Sequence, residues 1–313
     1  MDERVLYSIK SVIMGHAVAD ALGVPVEFQS RESLAASPVV GMRGYGTHGQ
    51  PEGTWSDDTS MTVAALDALC EYGLDYGSVM DNFAVWYSDA EYTATGVTFD
   101  IGGTCYGAIQ NYINGGKKPL ESGRSDRYSN GNGSLMRILP FVLFGVYGGF
   151  IGDKHQMIYD ASAITHGHRI SKIGCDIYAS VTEALLSSPA KESVISALRE
   201  CAQRYGGDTP EYARLFCDGF FKTSVDSIQS SGYIVHTLEA AIWCLLNTGS
   251  YRECVLAAVN LGDDTDTVAA VAGGLAGALY GYGDIPSEWL DTLGRRDYLE
   301  DLCRKAAQKW SGR

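Results

Sequence analysis

The stretch VAAVAGGLAGALYGY, residues 268–282, sets the first limit on what this chain can fold into. It carries no charged side chain, and Gly273, Gly277 and Gly281 recur at every fourth position. Positions four apart share a face of an α-helix, so this helix presents one side that is almost bare backbone. Such a side gains stability only by lying flat against another element. A helix without a polar face belongs at the centre of a fold, and this one falls short of the roughly 20 apolar residues of a membrane span. The remaining elements must enclose it.

Those elements also read as helices. Residues 4–22, RVLYSIKSVIMGHAVADAL, carry apolar residues at helical spacing and stop at Gly23 and Pro25. The same periodicity predicts helices at about 60–72, 77–88, 101–113, 134–146, 154–164, 171–187 and 190–204. It continues at about 210–221, 234–247, 251–259, 265–280 and 297–309. Alternating runs of the strand type are nearly absent, so the expected class is all-α. No linker rich in Pro, Ser or charge interrupts the pattern, which predicts one domain over 1–313. Residues 30–55 read as irregular, as does GGKKPLESGRSDRYSNGNGS at 115–134. A polar, Gly-rich loop of that length in a compact domain is usually functional or mobile.

Composition narrows the partners. The net charge is −14 and no Lys/Arg cluster reverses it locally, which argues against nucleic acid. An acidic chain that binds an anion needs backbone N–H groups, a few placed cations or metal ions. The eight cysteines include no CxxC, and Cys70, Cys105, Cys175, Cys217 and Cys244 stand beside apolar or small residues. A reduced, cytoplasmic chain is expected. The start, MDERVLYSIKSVIMG, has acidic residues and Lys10 within its apolar stretch, unlike a signal peptide. No uninterrupted apolar run approaches the length of a membrane span.

The central helix has an echo. DDTDTVAAVAGGLAGAL at 263–279 repeats the pattern of SDDTSMTVAALDAL at 56–69: a DDT triplet opening a helix of Ala, Val and Leu. Ser, Asp and Thr are good helix caps, so two independently capped helices are one reading. The other brings the two helix starts together, where Asp57, Asp58, Asp264 and Asp266 would repel unless cations neutralised them. Carboxylate and hydroxyl oxygens suit Mg2+ or Mn2+ rather than Zn2+, and carboxylate-bridged pairs of metals follow from that chemistry.

Other candidates are single segments. Glu27, between Val26 and Phe28, is a carboxyl among apolar neighbours, suited to general acid–base work if buried and to nothing special if not. SNGNGSLMRILP at 129–140 runs from a loop into a helix, offering N–H groups to a phosphate or forming a plain Asn-Gly turn. His166 and His168 in ITHGH lack the further ligands of a zinc site. GYGTHG at 44–49 matches GxGxxG, but no strand precedes it and no βαβ unit surrounds it, so a dinucleotide site is rejected.

Taken in order, GHAVADALGVPVEF (15–28), GTWSDDTSM (53–61), FDIGGT (99–104), NGNGSLMRILP (130–140), THGH (165–168) and LGDDTDTVAAVAGGLAGALYG (261–281) resemble the ADP-ribosylglycohydrolase family over nearly the whole chain. The resemblance implies a compact, orthogonal multi-helix all-α fold with a central dinuclear metal cleft for two divalent cations, Mg2+ or Mn2+. By motif position, Ser56, Asp57, Asp58, Asp264, Asp266 and Thr267 match its metal ligands; Ser56 stands where many relatives have Thr. Asp263 would be an outer support or cap. Glu27 and Asp100 match its catalytic acids, and Asp100 is an acidic position of arginine-directed relatives. Gly102, Asn130, Gly131, Asn132, Gly133, Ser134, Leu135, Met136 and His166 match the positions that embrace the diphosphate and distal ribose, with Tyr128 or Tyr106 available to stack on adenine. The implied activity is metal-dependent removal of ADP-ribose from modified protein side chains, most readily from arginine, by water attack at the anomeric carbon. An ADP-ribose-containing small molecule, another N-glycoside, or a non-catalytic ADP-ribose-binding module are the alternatives. Nucleic acid and membrane are not expected partners.

Overall fold

In the computed structural model, which describes residues 2–207 and 209–311, the bare face of the central helix finds its partner in the first helix. α1 (Glu3–Gly23) starts where the Asp2 carboxylate accepts the Arg4 N–H at 2.8 Å. After it come α2 (Arg31–Ala36), α3 (Asp57–Tyr72), α4 (Tyr76–Asp89), α5 (Gly103–Ile113), α6 (Pro119–Ser122) and α7 (Leu139–Tyr147). Then follow α8 (Lys154–Ala163), α9 (Arg169–Ser187), α10 (Lys191–Tyr205), α11 (Ile234–Asn247) and α12 (Tyr251–Val259). The uncharged helix is α13 (Thr265–Tyr280), and α14 (Ser287–Thr292) and α15 (Arg296–Trp310) close the chain. No strand occurs among the described residues, only isolated bridges such as Gly131 with Tyr233. The all-α expectation holds.

α1 and α13 touch backbone to backbone. A Cβ on Gly277 would lie 1.9 Å from the Ser11 carbonyl oxygen, and one on Gly273 would lie 2.4 Å from the Gly15 oxygen. Glycine is required at both places, as the four-residue spacing demands. Around this pair pack α9, α11 and α12 on the α13 side and α3 and α15 on the α1 side, with α4 and α7 outside α3. By length and composition the segment Glu3–Val26 is long and apolar enough to cross a bilayer, yet 94% of its apolar window is buried inside the fold. Its hydrophobicity belongs to the core.

Local chemistry moves several boundaries. No regular helix spans 210–221: Pro210 opens a 3-10 turn, Gly219 takes φ +113°, and Phe220–Lys222 form another 3-10 turn. An α-helix cannot pass a residue in that conformation. The helix expected from 101 starts at Gly103, because Asp100 has φ +61° and Gly102 is extended. The one expected from 134 starts at Leu139, with Pro140 in its first turn, where the missing N–H costs nothing.

Candidate functional site

The end of α1 meets the starts of α3 and α13. A Cβ on Gly23 would fall 2.3 Å from the Asp266 Cα, so only glycine allows the two helices to approach there. One turn earlier on α1 stands Asp20, fully buried. Its carboxylate accepts the Ser56 N–H at 3.0 Å, the Thr59 N–H at 3.0 Å and the Thr59 hydroxyl at 2.6 Å. A carboxylate from another helix thus satisfies the free donors at the start of α3, helped by the Ser56 hydroxyl, which accepts the Asp58 N–H at 3.3 Å. Asp57 and Asp58 are released from capping.

The two helix starts are joined through their polar side chains. Asp58 Oδ2 accepts the hydroxyls of Ser56 and of Thr267, each at 3.3 Å, so a residue of α13 bonds a residue of α3. Asp264 stands at the N-cap of α13 but does not cap it; its Oδ2 accepts the Asn132 amide at 2.9 Å. Asp266 Oδ1 accepts the Thr267 N–H at 2.9 Å. Asp58 Oδ1, Asp264 Oδ1 and Asp266 Oδ2 are buried with no hydrogen-bond partner. Asp263 supports the site through its backbone, its carbonyl accepting the Phe28 N–H at 2.7 Å and its N–H donating to Gln29 at 2.8 Å.

That clamp holds Glu27 over the junction. Glu27 is 5% exposed, and its carboxylate, with those of Asp264 and Asp266, offers oxygens within 4.8 Å of one another. Burial first, then the charges of Asp100 and Asp264, push the Glu27 carboxyl up to about 9. Burial pushes Asp20 and Asp100 up to about 6. It drives Asp57, Asp58 and Asp266 well above the ordinary carboxylate range, and the neighbouring acids add to it. Crowded, desolvated carboxylates oppose one another's ionisation, and a cation among them reverses that logic.

Above the junction lies a cleft of about 390 Å³. Glu27, Asp57, Asp264 and Thr267 face it from below, residues 100–105 form one wall, and Gly131–Gly133, Met136, Gly232 and His166 form the other. A Cβ on Gly133 would lie 2.7 Å from Cys105 Sγ and 3.0 Å from His166 Cε1. The loop amides of Asn132, Leu135 and Met136 are spent on Gly232 and Asn132 carbonyls, so an anion cradle here rests on Gly131 and Gly133.

The structure therefore brings Glu27, Asp57, Asp100, Gly102, Gly131, Asn132, Gly133, Met136, His166, Asp264 and Thr267 to one cleft, with Ser56, Asp58 and Asp266 buried near it. It does not bring three other side chains there. Asn130 accepts from Ser171 at 2.9 Å, the Ser134 hydroxyl lies 3.0 Å from that of Ser162, and Leu135 lies in the core. Neither Tyr128, 92% exposed, nor Tyr106 lines the cleft.

Sequence reasoning missed Asp20 and His48. The signal for Asp20 was its isolation, an acid inside the apolar helix segment GHAVADALG. His48 sits in the rejected GYGTHG loop. Gly46 lies so close to Pro25 that a Cβ would meet its carbonyl, and this brings His48 Nε2 into contact with the Glu27 carboxylate and to 3.8 Å from Asp100 Oδ1.

The family model for ADP-ribosylglycohydrolase matches residues 1–313. The chain belongs to the ADP-ribosylglycohydrolase family. It is 32% identical to an ADP-ribosylarginine hydrolase of Serratia proteamaculans over 97% of this chain and 80% of that one. It is 31% identical to the ADP-ribosyl-[dinitrogen reductase] glycohydrolase of Rhodospirillum rubrum over 90% of this chain and 88% of that one. A solved structure titled ADP-ribosylglycohydrolase-related protein complex superposes with a TM-score of 0.83 at 31% identity, covering 98% of this chain and 99% of that one. As an ADP-ribosylglycohydrolase the protein is a hydrolase. Its residues fit the divalent cations that the family implies. The donors are all oxygen, and the three partnerless buried carboxylate oxygens are what a cation would use.

Proposed function

We propose that this ADP-ribosylglycohydrolase uses two divalent cations, Mg2+ or Mn2+, to release ADP-ribose from arginine side chains of modified proteins. The observation that carries this reading is the set of partnerless carboxylate oxygens of Asp58, Asp264 and Asp266 beside Glu27, under an acid-lined cleft. Ser56, Asp57, Asp58, Asp264, Asp266 and Thr267 would hold the cations, which when bound supply positive charge for ribose hydroxyls and a water activated near neutral pH. The chain's own groups do the rest. Gly131 and Gly133 offer N–H groups to the diphosphate, and His166 closes that wall. Glu27, held by His48, is placed to pass a proton to the leaving nitrogen as the anomeric bond breaks.

Asp100 supports arginine as the acceptor. It lines the cleft at its wall, and a carboxylate there pairs with a guanidinium by charge-assisted hydrogen bonds that a serine hydroxyl cannot match. The Serratia relative, an ADP-ribosylarginine hydrolase, points the same way, and the Rhodospirillum relative is named for a modified protein, dinitrogen reductase. Release of free ADP-ribose from arginine-modified and serine-modified model substrates tests the reading. Faster turnover of the arginine linkage is expected, and a clear preference for serine overturns it.

A further inference from the structure

We propose that Thr165, braced by Arg137, fixes His166 as the tautomer that carries its proton on Nε2 and presents an N–H donor to the bound substrate. The inference rests on the reading of the cleft as an ADP-ribose site. It starts from Arg137, which is completely buried yet has no carboxylate partner among the described residues. Its guanidinium lies 5.1 Å from the Phe83 ring, and its Nη2 donates to the Ala161 carbonyl at 3.0 Å and to the Thr165 hydroxyl at 2.7 Å. Nε and Nη1 have no partner.

Thr165 passes this on. Guanidinium nitrogens only donate, so the Thr165 oxygen must accept from Arg137, and its own proton remains free for an acceptor. His166 Nδ1 lies 2.9 Å away. A hydroxyl polarised by a cation donates well, which makes Nδ1 the acceptor. Burial, reinforced by the Arg137 charge, opposes a second proton on the ring. The single proton therefore resides on Nε2, the nitrogen on the side of the glycine loop, 3.7 Å from where a Gly131 Cβ would stand.

The backbone that carries the ring is held in place. The His166 N–H donates to the Ser162 carbonyl at 2.8 Å, and the Ser162 hydroxyl donates to the His166 carbonyl at 3.0 Å. The opposite tautomer would face a diphosphate with a lone pair. Arg137 thus acts on the substrate at one remove, and Thr165 is a positioning residue rather than a catalytic one. A chain of charge −14 gains in this way a donor backed by a buried cation.

The test uses full-length protein labelled with 15N-histidine. Long-range 1H–15N spectra of the ligand-free wild type are expected to show His166 protonated at Nε2. Thr165→Ser keeps the hydroxyl and should keep that spectrum, whereas Thr165→Val should lose the Nε2 preference. ADP-ribose binding by calorimetry should weaken about 10-fold in Thr165→Val and return to within about threefold of wild type in Thr165→Ser. A wild-type His166 protonated at Nδ1 overturns the relay, and that spectrum needs no variant to fold. An unchanged spectrum and affinity in Thr165→Val overturn it equally. Failure of the wild type to bind ADP-ribose counts against the reading of the cleft, while the tautomer still decides the relay.

Discussion

Withdrawing divalent cations should make the protein lose stability as pH rises from 6.5 to 8, and Glu27 sets the scale. Burial and the neighbouring Asp100 and Asp264 raise its carboxyl from an ordinary 4.5 to about 9. Across that window the unfolded side chain is ionised while the folded one keeps its proton. The folded state then binds more protons than the unfolded state, so stability falls with rising pH. One extra proton costs about 1.4 kcal/mol per pH unit, so Glu27 alone removes about 2 kcal/mol over the window. Asp57, Asp58 and Asp266, raised by burial and by one another, act in the same direction. His16 and His166, lowered by burial, act oppositely, but mainly below the unfolded histidine value of 6.5. For a chain of this size, about 2 kcal/mol corresponds to a fall of roughly 3 °C in Tm. Cations bind the ionised carboxylates and displace these protons; at 100 times Kd they add about 2.7 kcal/mol. Thermal unfolding at pH 6.5 and 8, in EDTA and in excess MgCl2 or MnCl2, measures both effects. A Tm in EDTA that holds or rises between those pH values, together with no shift on adding cation, refutes the reasoning.

Three further outcomes are expected. Asp266→Asn should lower kcat/KM for ADP-ribose release at least about 100-fold, and in EDTA it should melt higher than wild type because a buried repelled carboxyl is gone; steady-state assays and melting curves check the pair. Gly133→Ala drives a methyl into Cys105 and His166, and should weaken ADP-ribose binding about 10-fold by calorimetry while helix content by circular dichroism is kept. Gly277→Ala forces α1 and α13 apart at the Ser11 carbonyl and should cost about 3 kcal/mol in urea unfolding, with the cleft residues untouched.

Much of this was legible because periodicity and repetition are strong signals. The uncharged helix with Gly273 and Gly277 announced its own contact, and the DDT echo raised the reading, beside that of two separately capped helices, in which α3 and α13 start at one place. What stayed hidden depended on tertiary partners. Nothing local says that Asp20 would cap α3 from across the fold and leave Asp57 and Asp58 free. His48 was obscured because its loop read as a weak dinucleotide-binding GxGxxG pattern, whereas Gly46 serves to fit the loop against Pro25. Asn130, Ser134 and Leu135 share a motif with Gly131 and Gly133, but part of a tight turn faces away from the cleft, and motif position cannot tell which part. The failed helix at 210–221 has the right apolar spacing; Pro210 and the left-handed Gly219 overrule it.

The central claim is that the paired helix starts form a dinuclear cation site. Crystals soaked in MnCl2, with diffraction recorded near the manganese absorption edge, test it most directly. The account predicts two anomalous peaks at the α3–α13 junction, contacting oxygens of Asp58, Asp264 and Asp266 that have no protein partner. Absence of anomalous density there under saturating manganese, or density confined to the Glu27, His48 and Asp100 cluster, contradicts it.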